Sequence, residues 1–151
     1  MVNAIPEGLH ALTLQLSIDG CAAAIEWYKK AFDAREVRRA ADPSGKKIWH
    51  AELRIGDSSF LVNDTFPEMG AEASRASTWL YTEDVDAAWK RAVDAGGKVK
   101  MPLGNMFWGD RMGTLLDPFG NQWSLAQRIQ NLSNEEMKRA QDEFVASMSK
   151  R

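Results

Sequence analysis

The chain has 151 residues, 44% hydrophobic and 26% charged, with a net charge of −2. That length suits one domain or two small modules sharing a core, and it can bury a sizeable core without staples. The mixed charges hold no basic block of the kind a nucleic acid attracts, no apolar run reaches the length of a membrane span, and the lone Cys21 excludes an internal disulfide or a thiolate metal cage.

Met1 to Glu7 lacks the charged and apolar regions of a secretory leader, so a cytoplasmic, reducing location is expected. His10 to Ile18 then alternates as a strand, with Leu12, Leu14 and Leu16 on one face and Thr13, Gln15 and Ser17 on the other. Asp19 reads as a helix cap, and Ala24, Trp27, Tyr28, Ala31 and Phe32 recur at helical spacing. Cys21 sits near the helix start, where a thiolate is favoured, but its alanine-rich surroundings suit a buried small residue. Val37 to Ala41 suggests a short strand, Asp42-Pro43-Ser44-Gly45 a hairpin turn, and Lys47 to Ile55 a second alternating strand. A Gly56-Asp57 turn leads to a strand from Ser59 to Asn63, and Asp64 to Arg75, with Pro67 and Gly70, reads as a linker.

The pattern then restarts. Ser77 to Thr82 is a strand, Asp84 a cap, and Val85 to Ala95 a helix closed by Gly96-Gly97. Lys98 to Met101 and Gly113 to Leu116 are extended, with a loop around Pro102 and Gly104 between them. Asp117-Pro118-Phe119-Gly120 is a structural turn, in which Pro sets one dihedral and Gly supplies the permissive end. Gln122 to Gln127 is the closing strand. The order β-α-β-β-β therefore occurs twice. Asp19 and Asp84 lie 65 residues apart and Gly56 and Gly120 lie 64 apart, which supports a duplication. Ser133 with Glu136 forms a capping box, and Met137, Ala140, Phe144 and Met148 line one face of a last helix. That helix either packs on the domain or clasps a second copy.

Several stretches resemble the PhnB-like branch of the vicinal-oxygen-chelate (glyoxalase/bleomycin resistance/dioxygenase) superfamily. They are Ile5-Pro6-Glu7-Gly8, the Ala22 to Phe32 helix, His50 to Asp57, Glu83-Asp84-Val85-Asp86, Met106 to Arg111 and Asp117 to Gly120. The resemblance covers almost the whole chain and implies an α+β fold. Two βαβββ modules would form a curled, mixed sheet cup, followed by a C-terminal helix. Residues 1–130 would be one domain, with modules at about 8–64 and 76–128, and 131–151 a helix and tail. It also implies a homodimer.

Metal-dependent relatives place His or Glu on strands facing the cup. Carried over by register, those positions fall at Thr13, Ser77, Ser124 and either Phe60 or Leu61. A hydroxyl holds a mid-series divalent ion weakly and a hydrocarbon not at all, so neither metal nor cofactor is expected. No glycine-rich cofactor loop is present either. The strand Ile48 to Arg54 offers His50 and Glu52 on one face, with Trp49, Ala51 and Leu53 on the other. His50 and Glu52 either form a base with its orienting carboxylate, or are a structural polar pair with Glu52 joined to Arg54.

The same alternation directs Thr13, Gln15, Asn63, Trp79, Tyr81 and Ser124 into the cup, with Gln122 and Ala126, while Trp123 and Leu125 face the helices. Gly109 turns the chain and brings Trp108 to the rim, or Trp108 closes the sheet edge. Arg111 either clamps a carboxylate or phosphate, or pairs internally with Asp110 or Asp117. Six tryptophans are many for this length, and aromatic walls with few polar groups suit a flat, partly polar organic ligand. The leading expectation is a metal-free binding protein for such a small molecule. A lyase or isomerase using His50 and Glu52, and a non-catalytic dimeric structural or regulatory module, are the alternatives.

Overall fold

A computed structural model describes residues 1–150; Arg151, the end of the tail, lies outside them. The fold is α+β. Strands β1 (Gln15–Ile18), β2 (Arg35–Ala41), β3 (Ile48–Ile55) and β4 (Ser58–Asp64) form one sheet in the order β1-β4-β3-β2, with helix α1 (Cys21–Phe32) between β1 and β2. Strands β5 (Ser77–Tyr81), β6 (Lys98–Asn105), β7 (Asp110–Leu116) and β8 (Gln122–Arg128) repeat this as β5-β8-β7-β6, with helix α2 (Val85–Asp94) in the same place. In each sheet the first strand runs parallel to the last and the other pairs are antiparallel. Both sheets are open, with β1 and β5 at their edges. Helix α3 (Asn134–Met148) follows.

Helix α1 buries Cys21, Ala24, Ile25, Tyr28, Ala31 and Phe32, a stripe at three- and four-residue spacing. Its N-cap is Gly20, not the expected Asp19. Gly20 adopts a left-handed conformation, φ 85°, and the first free N–H groups go to a distant carboxylate instead: Gly20 and Cys21 N–H donate to Asp64 Oδ1 at 3.2 and 3.1 Å. Helix α2 has the expected cap, with Ala87 N–H donating to Asp84 Oδ1 at 3.1 Å. There Gln127 at the end of β8 takes the Val85 N–H at 3.0 Å, as Asp64 does at the end of β4. With Gly20 as the cap, both helix starts and both turn glycines are 64 residues apart, so the correction tightens the duplication.

The two modules share one core. Trp123, on the helix-facing side of β8, packs on Tyr28, Phe32 and Phe60 of the first module, with ring centroids 5.4, 4.7 and 6.0 Å away. Burying a ring such as Phe32 or Phe60 contributes about 1.5–3 kcal/mol. The helices close each other's C-terminal ends: Trp27 Nε1 donates to the Ala95 carbonyl at 2.8 Å, and Arg91 Nε donates to the Ala31 carbonyl at 3.2 Å. Trp27 and Arg91, like Ala31 and Ala95, are 64 residues apart. The contact is therefore self-complementary, as across a two-fold axis. Asp117 is the polar centre of this junction. Its Oδ2 accepts from Tyr28 Oη at 2.5 Å and Trp123 Nε1 at 3.0 Å, and its Oδ1 from the N–H groups of Phe119 and Asn121. Burial and the Asp117 charge hold the Tyr28 phenol far above its ordinary pKa, so it remains a donor.

Several boundaries differ from those the sequence predicts. Strand β1 begins at Gln15; upstream, Leu12 is exposed and the Thr13 hydroxyl donates to the His10 carbonyl at 2.9 Å. Strand β6 continues through Pro102 to Asn105, which an edge strand with shifted register tolerates. The Asp64 to Arg75 segment is tied down: Phe66 packs on Trp49 with centroids 4.8 Å apart, and Ser74 bonds Ser17 and Asn121. Trp49 is thereby half-exposed on Phe66 and does not join the Ala51 and Leu53 core face.

Candidate functional site

The polar face of each sheet lies opposite the helix-facing residues that build the shared core. No hydrogen bond or ion pair among the described residues crosses from one polar face to the other. They are therefore two surfaces with distinct chemistry.

On the first sheet, Gln15 Nε2 donates to Asn63 Oδ1 at 2.9 Å, and Asn63 Nδ2 donates to Ser17 Oγ at 3.0 Å and to the Asp64 carbonyl. Gln15 pairs with Leu61 across the strands, and Leu61 with Glu52. Register thus places Leu61 on this face, while Phe60 points into the core. Glu52 is buried and sits 3.4 Å from Arg38 on β2, not beside Arg54, which reaches Ser59. No hydrogen bond joins His50 to Glu52 among the described residues. Thr13 lies apart, on the approach to β1.

The second sheet presents an aromatic face. Trp79 and Tyr81 project from β5 with 45% and 55% exposure, their rings 6.2 Å apart. Trp108 joins from the β6–β7 turn, 6.4 Å from Trp79. The turn works because Gly109 has φ +97°, and a Cβ there would lie 2.7 Å from the Gln130 carbonyl oxygen. The turn sets the Trp108 ring beside Trp79. Beneath the rings, Ser124 pairs with Trp79 across β8 and lies 3.0 Å from the Thr114 hydroxyl on β7, while Met112 and Ala126 complete a buried floor.

Asp110 is the residue that sequence reasoning misses, except as a partner for Arg111. It opens β7 on the same face as Met112 and Thr114, and is 1% exposed. Its Oδ2 accepts from Tyr81 Oη at 2.8 Å and from Trp108 Nε1 at 3.0 Å. The bond to that carboxylate holds the Tyr81 phenol above its ordinary pKa. Arg111 alternates to the other side. Its guanidinium pairs with Asp86 on α2 at 2.8 Å and bonds Asn105, so it does not reach the aromatic face. This corrects both the expected clamp and the alternatives, Asp110 and Asp117. The available signal was period-two alternation itself: Asp110, Met112 and Thr114 share one face, so Arg111 takes the other.

A cleft of about 790 Å³ runs along the open edge of β5. Trp79 and Tyr81 line it, facing His10, Leu12 and Leu14 before and within the approach to β1 and the turn from Gly56 to Ser59. The open edge also carries unpaired backbone groups, which can receive a ligand or another strand. Among the described residues no group of three or more His, Cys, Asp or Glu side chains is placed to hold a metal. No helix among them is long and apolar enough to cross a membrane. Cys21 is fully buried, and burial, then the Asp64 charge, pushes its thiol up to about 12. It behaves as a small core residue. Helix α3 has the expected capping box, buries no residue, and rests Phe144 on Phe107, centroids 5.0 Å apart, beside Trp108.

The sequence model of the glyoxalase/bleomycin resistance protein/dioxygenase superfamily matches residues 9–125. A relative from Mycobacterium bovis, the uncharacterized protein Mb0911c, is 40% identical over 139 residues, covering 86% of this chain and 91% of its own. The crystal structure of TioX from Micromonospora sp. ML1 superposes with a TM-score of 0.68 at 23% identity, covering 80% of this chain and 99% of TioX. TnmS3, described as an antibiotic-binding protein from Streptomyces sp. CB03234, superposes at 0.62 with 25% identity, covering 84% of this chain and 99% of TnmS3.

Proposed function

Because the chain belongs to the glyoxalase/bleomycin resistance protein/dioxygenase superfamily, we propose that it is a binding member, holding a small, flat, partly polar organic molecule on the aromatic face of its second sheet. The observation that carries this reading is the exposed pair Trp79 and Tyr81, which line the 790 Å³ cleft, together with Trp108, whose ring lies 6.4 Å from that of Trp79. Rings of this size held half in water gain by stacking on a flat partner, and a few polar groups beneath them fix its orientation. Ser124 and Thr114 supply such groups, and Gln15 and Asn63 supply more on the other sheet.

The molecule is held without metal. Thr13, Leu61, Ser77 and Ser124, at the positions where metal-dependent relatives carry His or Glu, form a poor donor set for a mid-series divalent ion. A second copy of the chain completes each site, bringing the polar face of one first sheet over the aromatic face of the other chain's second sheet. The open edge of β5 and the apolar side of α3, where Phe144, Val145 and Met148 are exposed, support a dimer. The one buried free thiol suits a cytoplasmic setting. The fold shared with TnmS3, an antibiotic-binding protein, supports the ligand class.

The test is tryptophan fluorescence titrated with a panel of planar metabolites and antibiotics, with oligomeric state measured in parallel. Saturable quenching by one or more planar compounds is expected, with the midpoint moved to about tenfold higher ligand concentration in Trp79→Ala. Folded protein that no compound quenches would contradict the reading.

A further inference from the structure

We infer that the aromatic face selects a flat organic cation or protonated amine, through the unfilled oxygen of Asp110. The inference rests on the binding reading above and names the ligand's charge.

Asp110 is 1% exposed, yet only one of its carboxylate oxygens accepts a hydrogen bond. Its Oδ2 takes the Tyr81 hydroxyl and the Trp108 indole N–H, both neutral donors. Its Oδ1 is buried and has no hydrogen bond. The nearest cation is Arg128, whose Nε lies 3.9 Å away, beyond hydrogen-bonding reach, on a side chain 62% exposed to water. Arg111, the next residue in the chain, gives its charge to Asp86 on the other side of the sheet. A buried carboxylate is ordinarily satisfied on both oxygens, because removing it from water is costly unless donors replace the water. Here one acceptor position has no hydrogen bond; it lies under the Arg128 side chain, next to the oxygen that Tyr81 and Trp108 hold.

The surroundings fit the same charge. Tyr81 and Trp108 turn their polar edges to Asp110 and Trp79 lies 6.2 and 6.4 Å from them, so a cation beside the carboxylate is also within reach of rings whose faces attract positive charge. The two donors on Oδ2 orient the carboxylate and hold the rings around it. An ammonium or protonated ring N–H that takes the place of the Arg128 side chain would make a charge-assisted bond to Oδ1, stronger than a neutral one. Arg128 would then swing outward, since its side chain is already mostly in solvent. A neutral planar molecule gains only the stacking, and an anion is repelled.

Calorimetric titration of the full chain with proflavine, a flat cation, and acridone, a neutral tricycle of similar shape, tests this. Proflavine is expected to bind about tenfold more tightly than acridone. Asp110→Asn should weaken proflavine by about tenfold and acridone by less than about twofold. Arg128→Gln, which removes the competing charge at an exposed position, should tighten proflavine by about threefold. If acridone binds as well as proflavine, or Asp110→Asn weakens both alike, the charge assignment is overturned while the binding reading stands. If neither dye binds but neutral members of the planar panel do, the charge assignment is likewise overturned. If nothing planar binds, both fall. Should Asp110→Asn fail to fold, Arg128→Gln carries the test, and unchanged or weaker proflavine binding would overturn the inference.

Discussion

The two sheets are copies in topology and differ in what they present. Gln15 and Trp79 occupy the same place, paired with Leu61 and Ser124 respectively. Ser17 matches Tyr81, and Asn63 matches Ala126, by the same register. On the core side the equivalent residues stayed apolar: Leu16 and Leu80, Val62 and Leu125, Phe60 and Trp123. The first polar face closes on itself, with Gln15, Asn63 and Ser17 satisfying one another. The second leaves rings in water and a carboxylate oxygen unfilled. Packing constrains the core side of both copies equally, so divergence collected on the face that packing leaves free.

The comparison breaks most severely at the junction both modules share. Asp117→Ala would strand the Tyr28 hydroxyl, the Trp123 indole N–H and two backbone N–H groups in the core. Equilibrium urea unfolding should show a loss of about 4 kcal/mol or more, since four buried donors are stranded at about 1 kcal/mol or more each. A loss under about 1 kcal/mol would mean water replaces the carboxylate and the junction is not a sealed core.

Gly109 is the next point. Its positive φ and the 2.7 Å approach to the Gln130 carbonyl leave no room for a methyl group. Gly109→Ala should cost about 1–3 kcal/mol and move Trp108 away from Trp79, read as lost quenching by the planar panel. An equally stable variant with unchanged quenching would show the turn is not what positions Trp108.

Equivalent positions on the two faces separate binding from scaffolding. Trp79→Ala should weaken the best planar ligand by about tenfold, or about 1.4 kcal/mol. Gln15→Ala, at the matching place, should change it by less than about threefold, because Gln15 orients and does not stack. Equal losses would put the two faces on the same footing and remove the asymmetry between them.

These contrasts are partly legible in the chain itself. Period-two alternation places Trp123 and Leu125 with the helices and Ser124 and Ala126 opposite, and the structure agrees. The same rule carries too far upstream: Leu12 fits the alternation, but pairing starts at Gln15, and an edge strand with one neighbour ends where that neighbour stops supporting it. The Asp86 partner of Arg111 and the Tyr81 partner of Asp110 escape it because each is distant in sequence. Asp86 is 25 positions from Arg111 and Tyr81 is 29 from Asp110. The helix-capping role of Asp64 is hidden for the same reason, since its Cys21 partner is 43 positions away. Periodicity reports which way a side chain points; it carries no information about what the fold brings opposite.

The smallest effect at neutral pH belongs to the core cysteine. Its thiol is raised from an ordinary 9.0 to about 12. The folded state therefore keeps a proton that the unfolded chain releases. Stability is fully present below pH 9 and is lost as the pH climbs toward 12, at about 1.4 kcal/mol per pH unit for one proton. Cys21→Ala should flatten the part of the decline that begins near pH 9. In native protein the thiol should resist labelling by a disulfide reagent and react fully in urea. Rapid labelling of folded protein would contradict its burial.

If the second sheet carries the binding face, a ligand settles on Trp79 and Trp108 and leaves the core rings untouched. The decisive measurement follows the indole N–H signals of the six tryptophans by NMR, assigned with single Trp→Phe variants, through a titration with a quenching planar compound. The Trp79 and Trp108 signals should shift together and saturate, while Trp27 and Trp123 stay in place. Shifts confined to Trp27, Trp49, Trp89 or Trp123, with Trp79 and Trp108 unmoved, would place the ligand elsewhere and refute the aromatic face as its site.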